Sequence, residues 1–137
     1  GTGITHSEYN ASQTDPVHFL QIWILPGREG RTPSYEQKTF TDADKHNRLR
    51  LVGSSDGRDG SVTTHQDADL YGTVLDEGST VRHELGADRL GWIQVARGSI
   101  QLNGRPLRAG DGAPIKGPES ITLTATSDSE LLLFDMG

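Results

Sequence analysis

The sequence predicts an all-β protein built from short strands, and three observations support this prediction. Apolar and polar residues alternate along much of the 137-residue chain, which is the period of a half-buried strand and not of a helix. Gly, Asn and Asp separate the apolar runs, and the chain contains 17 glycines. A chain of this length suggests one domain that buries about two-thirds of its unfolded surface. We therefore predict a β-sandwich or β-barrel.

The predicted elements follow one another with turn residues between them. The first strand, 18–25 (HFLQIWIL), is expected to be buried and ends at Pro26-Gly27. A polar loop leads to a short strand at 35–40, and Asp42 is predicted to cap a single helical turn. The clearest hairpin signal is Asn103-Gly104, because a type I′ turn needs positive φ at both central residues. The remaining predicted strands are 48–52, 69–75, 78–85, 90–97, 99–102, 105–107, 121–125 and 130–135.

Composition excludes several classes of function. A net charge of -6, with no cluster of Lys and Arg, argues against direct binding to nucleic acid. The longest apolar runs, such as 22–25 and 131–134, are far shorter than the roughly twenty residues that span a membrane, so we expect a soluble protein. The chain has no Cys, which excludes thiolate catalysis and suits a reducing compartment, so we expect a cytoplasmic location.

His6 and Glu8 are the first candidate functional residues, in the opening segment GTGITHSEYN. In an extended segment, alternate side chains share a face, and these two would lie about 6.6 to 6.8 Å apart along the backbone. Both could therefore bind one metal ion, but a catalytic metal usually has three or four protein ligands. By spacing alone, two ordinary polar residues on a surface strand are the commoner explanation.

Other candidates have a structural explanation that the sequence favours. His65, Asp67 and Asp69 would share one strand face, as a rival metal site or, more commonly, as charges that protect a sheet edge. The segment 56–60 (DGRDG) faintly resembles a calcium loop but lacks the closing Glu, so a turn is expected. Trp23 and Trp92 lie in apolar strands and are expected in the core, with the lining of a ligand cavity as the alternative.

Six segments of the chain also match a known pattern in order. They are GTGITHSEYN, HFLQIWILP, PSYEQK, LDEGSTVRHEL, GWIQVARGSIQLNGRPLRAGDGAPI and SELLLFDM. Together they resemble the pirin family, two-domain cupins (bicupins) that include bacterial quercetin 2,3-dioxygenase-like proteins. The resemblance implies a cupin fold, a double-stranded β-helix or jelly-roll-like barrel, and it covers nearly the whole chain.

The resemblance also implies how the chain is divided. In the family, the N-terminal cupin holds a metal through a His-x-His pair, a further His and a Glu. His6 and Glu8 match the last two ligands, and the His-x-His pair has no counterpart here. Residues 1–31 would then be the tail of an N-terminal cupin, and residues 34–137 a complete C-terminal cupin without metal. The chain begins at Gly1 with no initiator Met, and we expect the missing N-terminal half upstream.

The metal-free character of the second half is also expected from the residues themselves. Where a cupin motif would place its ligands, the chain offers only His83 and Glu84. Because they are neighbours in a predicted strand, they would point to opposite faces of it.

The leading functional hypothesis follows from this resemblance. It implies a metal-dependent dioxygenase that cleaves the ring of a flavonol-like aromatic substrate. The metal would be divalent, with iron expected and nickel, manganese, cobalt or zinc as alternatives. Besides binding the metal, Glu8 would act as catalytic base for the flavonol hydroxyl. The chain alone, without its N-terminal half, is expected to be inactive.

Two alternatives stay open. One is a non-catalytic cupin module with a structural or protein-interaction role, in the manner of a transcription cofactor. The other is a stand-alone cupin that completes a metal site from His6, Glu8 and one of three histidines. Those histidines are His18, His65 and His83.

Overall fold

The computed structural model describes residues 2–137, and these form two contrasting parts. Residues 2–40 contain no helix or strand, and nearly all of them are exposed. Residues 41–137 carry a short α-helix, a 3-10 turn and ten strands. The elements are α1 (Asp42–Lys45), β1 (Arg50–Ser54), the 3-10 turn (Arg58–Gly60), β2 (Val62–Thr63), β3 (Ala68–Leu75), β4 (Thr80–Leu85), β5 (Leu90–Arg97), β6 (Ser99–Leu102), β7 (Arg105–Arg108), β8 (Gly112–Lys116), β9 (Glu119–Ala125) and β10 (Ser129–Met136).

The strands form two sheets that enclose one apolar core. One sheet has six strands in the order β2-β1-β3-β10-β5-β8, and the other has four in the order β4-β9-β6-β7. Strand pairs are antiparallel except for β1 with β2. Both sheets contribute fully buried side chains to the core, including Ile93 and Leu133 from the first and Ile100, Ile121 and Leu123 from the second. The prediction of an all-β fold is confirmed.

Alternation along the strands determines which polar groups enter the barrel. In β10, Leu131 and Leu133 are buried in the core and Asp135 continues the same face. In β4, Val81 and Leu85 are buried and His83 lies between them on that face. The sequence pattern therefore places an acid and a histidine inside one end of the barrel.

Two local predictions are confirmed in geometry. The helical turn forms as α1, although its N-cap is Thr41 and not Asp42: the Asp44 N–H donates to Thr41 Oγ1, and Thr41 N–H donates to the Asp44 carboxylate. Asn103 and Gly104 both have positive φ, 47° and 82°, as a type I′ turn requires. No helix within residues 2–137 is long and apolar enough to cross a membrane.

The predicted strands at 18–25 and 35–40 are wrong for this chain. Both segments lack strand structure, and Trp23 is 87% exposed. A strand needs a neighbour for its backbone N–H and C=O groups, and residues 2–137 offer these segments none. The sequence prediction also missed β8, whose Pro114 argues against a strand; the structure places β8 at a sheet edge, where Pro is tolerated.

Candidate metal centre

His6 and Glu8 lie side by side on the surface of the segment 2–40. The distance from His6 Nε2 to Glu8 Oε1 is 3.8 Å, and their side chains are 60% and 56% exposed. Metal–ligand bonds of about 2.0 to 2.2 Å allow two ligand atoms of one ion to lie up to about 4.3 Å apart. At 3.8 Å the pair lies slightly wider than two adjacent ligands of a tetrahedral ion, so a small side-chain rotation would bring both onto one metal.

The segment that carries this pair is attached to the barrel by a few polar contacts. Within the segment itself, the Thr2 N–H donates to the Arg31 carbonyl at 3.0 Å. The loop before β3 holds the segment further along, because Gln66 Nε2 donates to Leu25 O at 2.6 Å and His65 Nδ1 lies 3.4 Å from Arg31 Nη1. These contacts orient the segment without burying it.

Within residues 2–137, no group of three or more His, Asp or Glu side chains is placed to hold a metal. None of His18, His65 and His83 therefore completes a site with His6 and Glu8. The prediction that His65, Asp67 and Asp69 share one face of a strand is also wrong. His65 has a left-handed backbone with φ of 55°, and only Asp69 lies in a strand.

Asp67 and Asp69 each form a salt bridge with an arginine. Asp67 Oδ1 accepts from Arg89 Nη1 at 3.0 Å, and Asp69 pairs with Arg58. The same arginine, Arg58, also lies 3.3 Å from Asp56 in the DGRDG segment, which is a turn as predicted.

Three charged or titratable side chains are joined by hydrogen bonds inside one end of the barrel. His83 Nε2 donates to Asp135 Oδ2 at 2.7 Å, while Arg89 Nε donates to the other carboxylate oxygen and Arg89 Nη2 to the Asp135 carbonyl at 2.8 Å. The hydrogen bond to Asp135 raises the pKa of Arg89. As predicted from adjacency, Glu84 points away from His83 and accepts from Ser120 Oγ at 2.7 Å. Both carboxylate oxygens and the backbone carbonyl of Asp135 thus accept a hydrogen bond from His83 or Arg89.

Tyr71 borders this cluster. Its ring centroid lies 5.1 Å from that of His83, with the planes tilted by 54°. Burial raises the pKa of Tyr71, and the nearby carboxylate of Asp69 raises it further. The phenol is therefore a neutral hydrogen-bond donor across the physiological pH range.

An apolar cleft of about 540 Å³ separates the segment 20–25 from the outer face of the six-stranded sheet. The sheet side consists mainly of side chains that point away from the core, from Leu90, Trp92, Leu132, Phe134 and Met136. Trp23 and Trp92 both line this cleft, and neither belongs to the buried core. The expected core position of the two tryptophans is wrong. Trp23 lies in a segment without strand structure, and Trp92 lies on the outward face of β5.

Comparison with known proteins is consistent with this architecture. A sequence profile of the quercetinase C-terminal cupin domain matches residues 51–136. A quercetin 2,3-dioxygenase of Escherichia coli K12 is 46% identical over 136 residues, which cover 99% of this chain and 58% of that protein. A pirin-like protein of Caulobacter vibrioides is 39% identical over 137 residues, again 58% of its length.

Solved structures of a bacterial pirin have the same fold. The crystal structure of YhhW from Escherichia coli superposes with a TM-score of 0.78 at 41% identity, and the match covers 84% of this chain and 48% of that one. A second structure, of YhhW in complex with nickel(II), matches with a TM-score of 0.77 at the same identity.

These findings define the class as a pirin-like cupin. The chain belongs to the family of quercetinase C-terminal cupin domains, so the predicted cupin fold and the pirin resemblance are confirmed. The chain spans 58% of the length of the curated relatives that it matches.

Two functional-looking residues escaped the sequence analysis. Asp135 follows Leu131 and Leu133 on the inward face of β10, and a charged residue after two inward leucines was a usable signal. Arg89 gave no such signal, because it lies in a turn 46 residues from Asp135, the carboxylate that it binds.

Proposed function

We propose that this chain is the C-terminal portion of a metal-dependent bicupin that resembles quercetin 2,3-dioxygenase. Residues 1–31 would be the tail of an N-terminal cupin, and residues 34–137 the C-terminal cupin. One observation carries this proposal: His6 and Glu8 lie 3.8 Å apart, and among residues 2–137 no third His, Asp or Glu joins them in a metal-holding group. The greater length of the relatives supports it, because the other ligands would come from the part that this chain lacks.

The unpaired segment gives a second line of support. Residues 18–25 are apolar, form no strand and lie over an open cleft, while Trp92 on the opposite wall is 37% exposed. Exposed apolar surface of this kind marks an interaction site. The N-terminal half would pair with residues 18–25 as a neighbouring strand and cover the cleft.

In the proposed site, His6 and Glu8 would hold a divalent metal, with iron first and nickel, manganese, cobalt or zinc as alternatives. When bound, such a metal supplies a Lewis acid with open positions for an anionic oxygen ligand and for dioxygen. Glu8 would accept the proton of a flavonol hydroxyl, and His6 would fix the metal against the segment. The absence of Cys suits a cytoplasmic enzyme.

A second candidate function is a non-catalytic module that acts through protein contacts, in the manner of a transcription cofactor. The observation that favours it is the barrel interior, where both carboxylate oxygens of Asp135 already accept hydrogen bonds from His83 and Arg89. On this view the cupin half serves as a structural partner through its apolar outer face.

The experiment is to express the protein with its upstream residues and to measure metal content and quercetin consumption. We expect one metal per chain, loss of most metal and activity in His6→Ala and Glu8→Gln, and no change in the control His18→Ala from the same segment. Tight binding of one equivalent by the 137-residue chain alone would contradict the proposal. Full metal content without quercetin turnover would favour the non-catalytic module.

A further inference from the structure

A second cavity, of about 430 Å³, opens beside the first residues of β1. β2 pairs only with Gly53 and Ser54, so the beginning of β1 has no strand neighbour on that side. The turn that contains Asp59 lies there instead, because Arg50 Nη2 donates to the Asp59 carbonyl at 2.5 Å. We name this cavity the arginine cleft, after its lining residues Arg48, Arg50 and Arg58. None of its lining residues belongs to the segment 2–40.

Two of these arginines are held in place by backbone carbonyls. Arg48 Nε and Nη2 donate to the carbonyls of Asp44 and Ala43 at 2.7 and 2.9 Å, and Arg50 donates to Asp59 as above. Carbonyls fix a guanidinium without cancelling its charge. Within residues 2–137, neither Arg48 nor Arg50 forms a salt bridge with a carboxylate. Of the five N–H groups on each side chain, Arg48 uses two and Arg50 uses one.

The other charged groups of the cleft are largely engaged. Arg58 pairs with Asp56 and Asp69, and its charge is countered there. Asp44 accepts hydrogen bonds from the N–H and hydroxyl of Thr41. With Arg58 set aside, Arg48 and Arg50 face Asp44 and Asp59, so the charges of the lining balance in number. What the cleft offers an anion is therefore the free N–H groups of Arg48 and Arg50, and not a net positive charge.

The lining of the cleft is mostly polar, with three apolar or aromatic side chains on one side. Leu51 is buried, Leu49 and Tyr71 pack against the core, and all three line the cavity. The Tyr71 hydroxyl is a neutral donor, for the reasons given above. A cavity of this volume falls in the range that small organic ligands occupy.

We propose that the arginine cleft binds a small carboxylate that carries an aromatic or other flat apolar ring. The planar forks of Arg48 and Arg50 match the two oxygens of a carboxylate, and Leu49, Leu51 and Tyr71 receive the ring. This site is separate from the metal site proposed above and does not depend on it. It would give the metal-free barrel a ligand of its own.

The test uses the 137-residue chain and benzoate as probe, followed by amide shifts in NMR or by calorimetry. We expect saturable binding, with shifts at Arg50 and Tyr71, and binding of benzamide and acetate that is at least about tenfold weaker, since the first lacks the charge and the second the ring. Arg48→Met and Arg50→Met should each weaken benzoate binding about tenfold or more. The control Arg105→Met, an exposed arginine on β7, should leave it unchanged.

Several outcomes would overturn the site. They are non-saturable shifts, equal binding of benzamide, equal binding of inorganic phosphate, and equal weakening by Arg105→Met. Arg50 also stacks over Phe40 at 5.4 Å, so its variant is checked by thermal unfolding. If Arg50→Met does not fold, the exposed Arg48→Met decides, and unchanged binding in that variant rejects the proposal.

Discussion

Two segments of this chain are similarly rich in apolar residues, but one forms a buried strand and the other stays exposed without strand structure. Residues 18–25 hold six apolar residues in eight, and β10 (Ser129–Met136) holds five in eight. β10 lies between β3 and β5, and its inward leucines are fully buried. Residues 18–25 have no strand partner among residues 2–137 and stay exposed. Apolar composition thus makes a segment able to pair, and the presence of neighbours decides whether it does.

The largest expected effect on stability comes from a Leu→Ala substitution in β10, with the same substitution in residues 18–25 as its matched control. Leu133→Ala removes a side chain with no exposed surface and should lower the free energy of unfolding by about 3 to 5 kcal/mol. Leu25→Ala removes one that is mostly exposed and should change it by less than about 0.5 kcal/mol. Urea denaturation of both variants measures this. A comparable loss in Leu25→Ala would mean that residues 18–25 belong to the folded core.

Backbone conformation offers a second contrast. Gly98 has φ of 74°, and a Cβ there would collide with the Asp128 carbonyl oxygen. Gly98→Ala should therefore cost about 2 to 4 kcal/mol, from the left-handed backbone together with overpacking. Gly30 has a similar φ of 70° with nothing within 4 Å, and it lies in the unpaired segment. Gly30→Ala should leave the unfolding midpoint of the barrel unchanged, and an equal shift in both variants would contradict the separation of the two regions.

The sequence predicts those elements whose signals are local. The Asn103-Gly104 hairpin, the single helical turn and the alternating strands from 69 onward depend on residues that are close together in the chain. The failures depend on distant partners. The strand at 18–25 needs a neighbour that this chain does not supply, and Trp92 has an outward orientation that only the packing of the second sheet determines.

For the candidate metal site, too, the sequence predicts what neighbouring residues determine and not what distant residues contribute. Spacing predicts that His6 and Glu8 lie close together, which the 3.8 Å distance agrees with. Spacing cannot supply the remaining ligands. The role of the pair as metal ligands stays a prediction. Likewise, adjacency correctly separates His83 from Glu84, but the partner of His83 is Asp135, 52 residues away.

A substitution in the charge cluster of Asp135, His83 and Arg89 should lower the free energy of unfolding by an intermediate amount. Asp135→Asn removes the charge that Arg89 and His83 share, with little change of shape, and should cost about 2 to 3 kcal/mol because the groups left behind are largely buried. Asp67→Asn changes the exposed partner of the same arginine and should have an effect below about 1 kcal/mol. Denaturation curves of the two variants compare a buried partner with an exposed one. Equal effects would show that burial of Asp135 contributes nothing.

The smallest expected effect lies at the junction of the two regions, where Thr41 begins the first regular element. Hydrogen bonds from the Thr41 side chain and backbone hold the pKa of Asp44 below its usual value. The unfolded chain therefore takes up a proton first as the pH falls, so this stabilisation is complete above about pH 4 and is lost as the pH drops through the lower, folded-state pKa. Thr41→Ala removes the cap and should cost roughly 0.5 to 1 kcal/mol at pH 7.

Because that variant also loses one of the hydrogen bonds that favour the ionised carboxylate, its stability should fall less steeply than that of the wild type below pH 4. Thr32→Ala, an exposed threonine in the segment 2–40, is the control and should follow the wild-type pH profile. The measurement is the urea midpoint at several pH values between 2 and 7. A parallel decline in Thr41→Ala and wild type would contradict the role of Thr41 in lowering the pKa of Asp44.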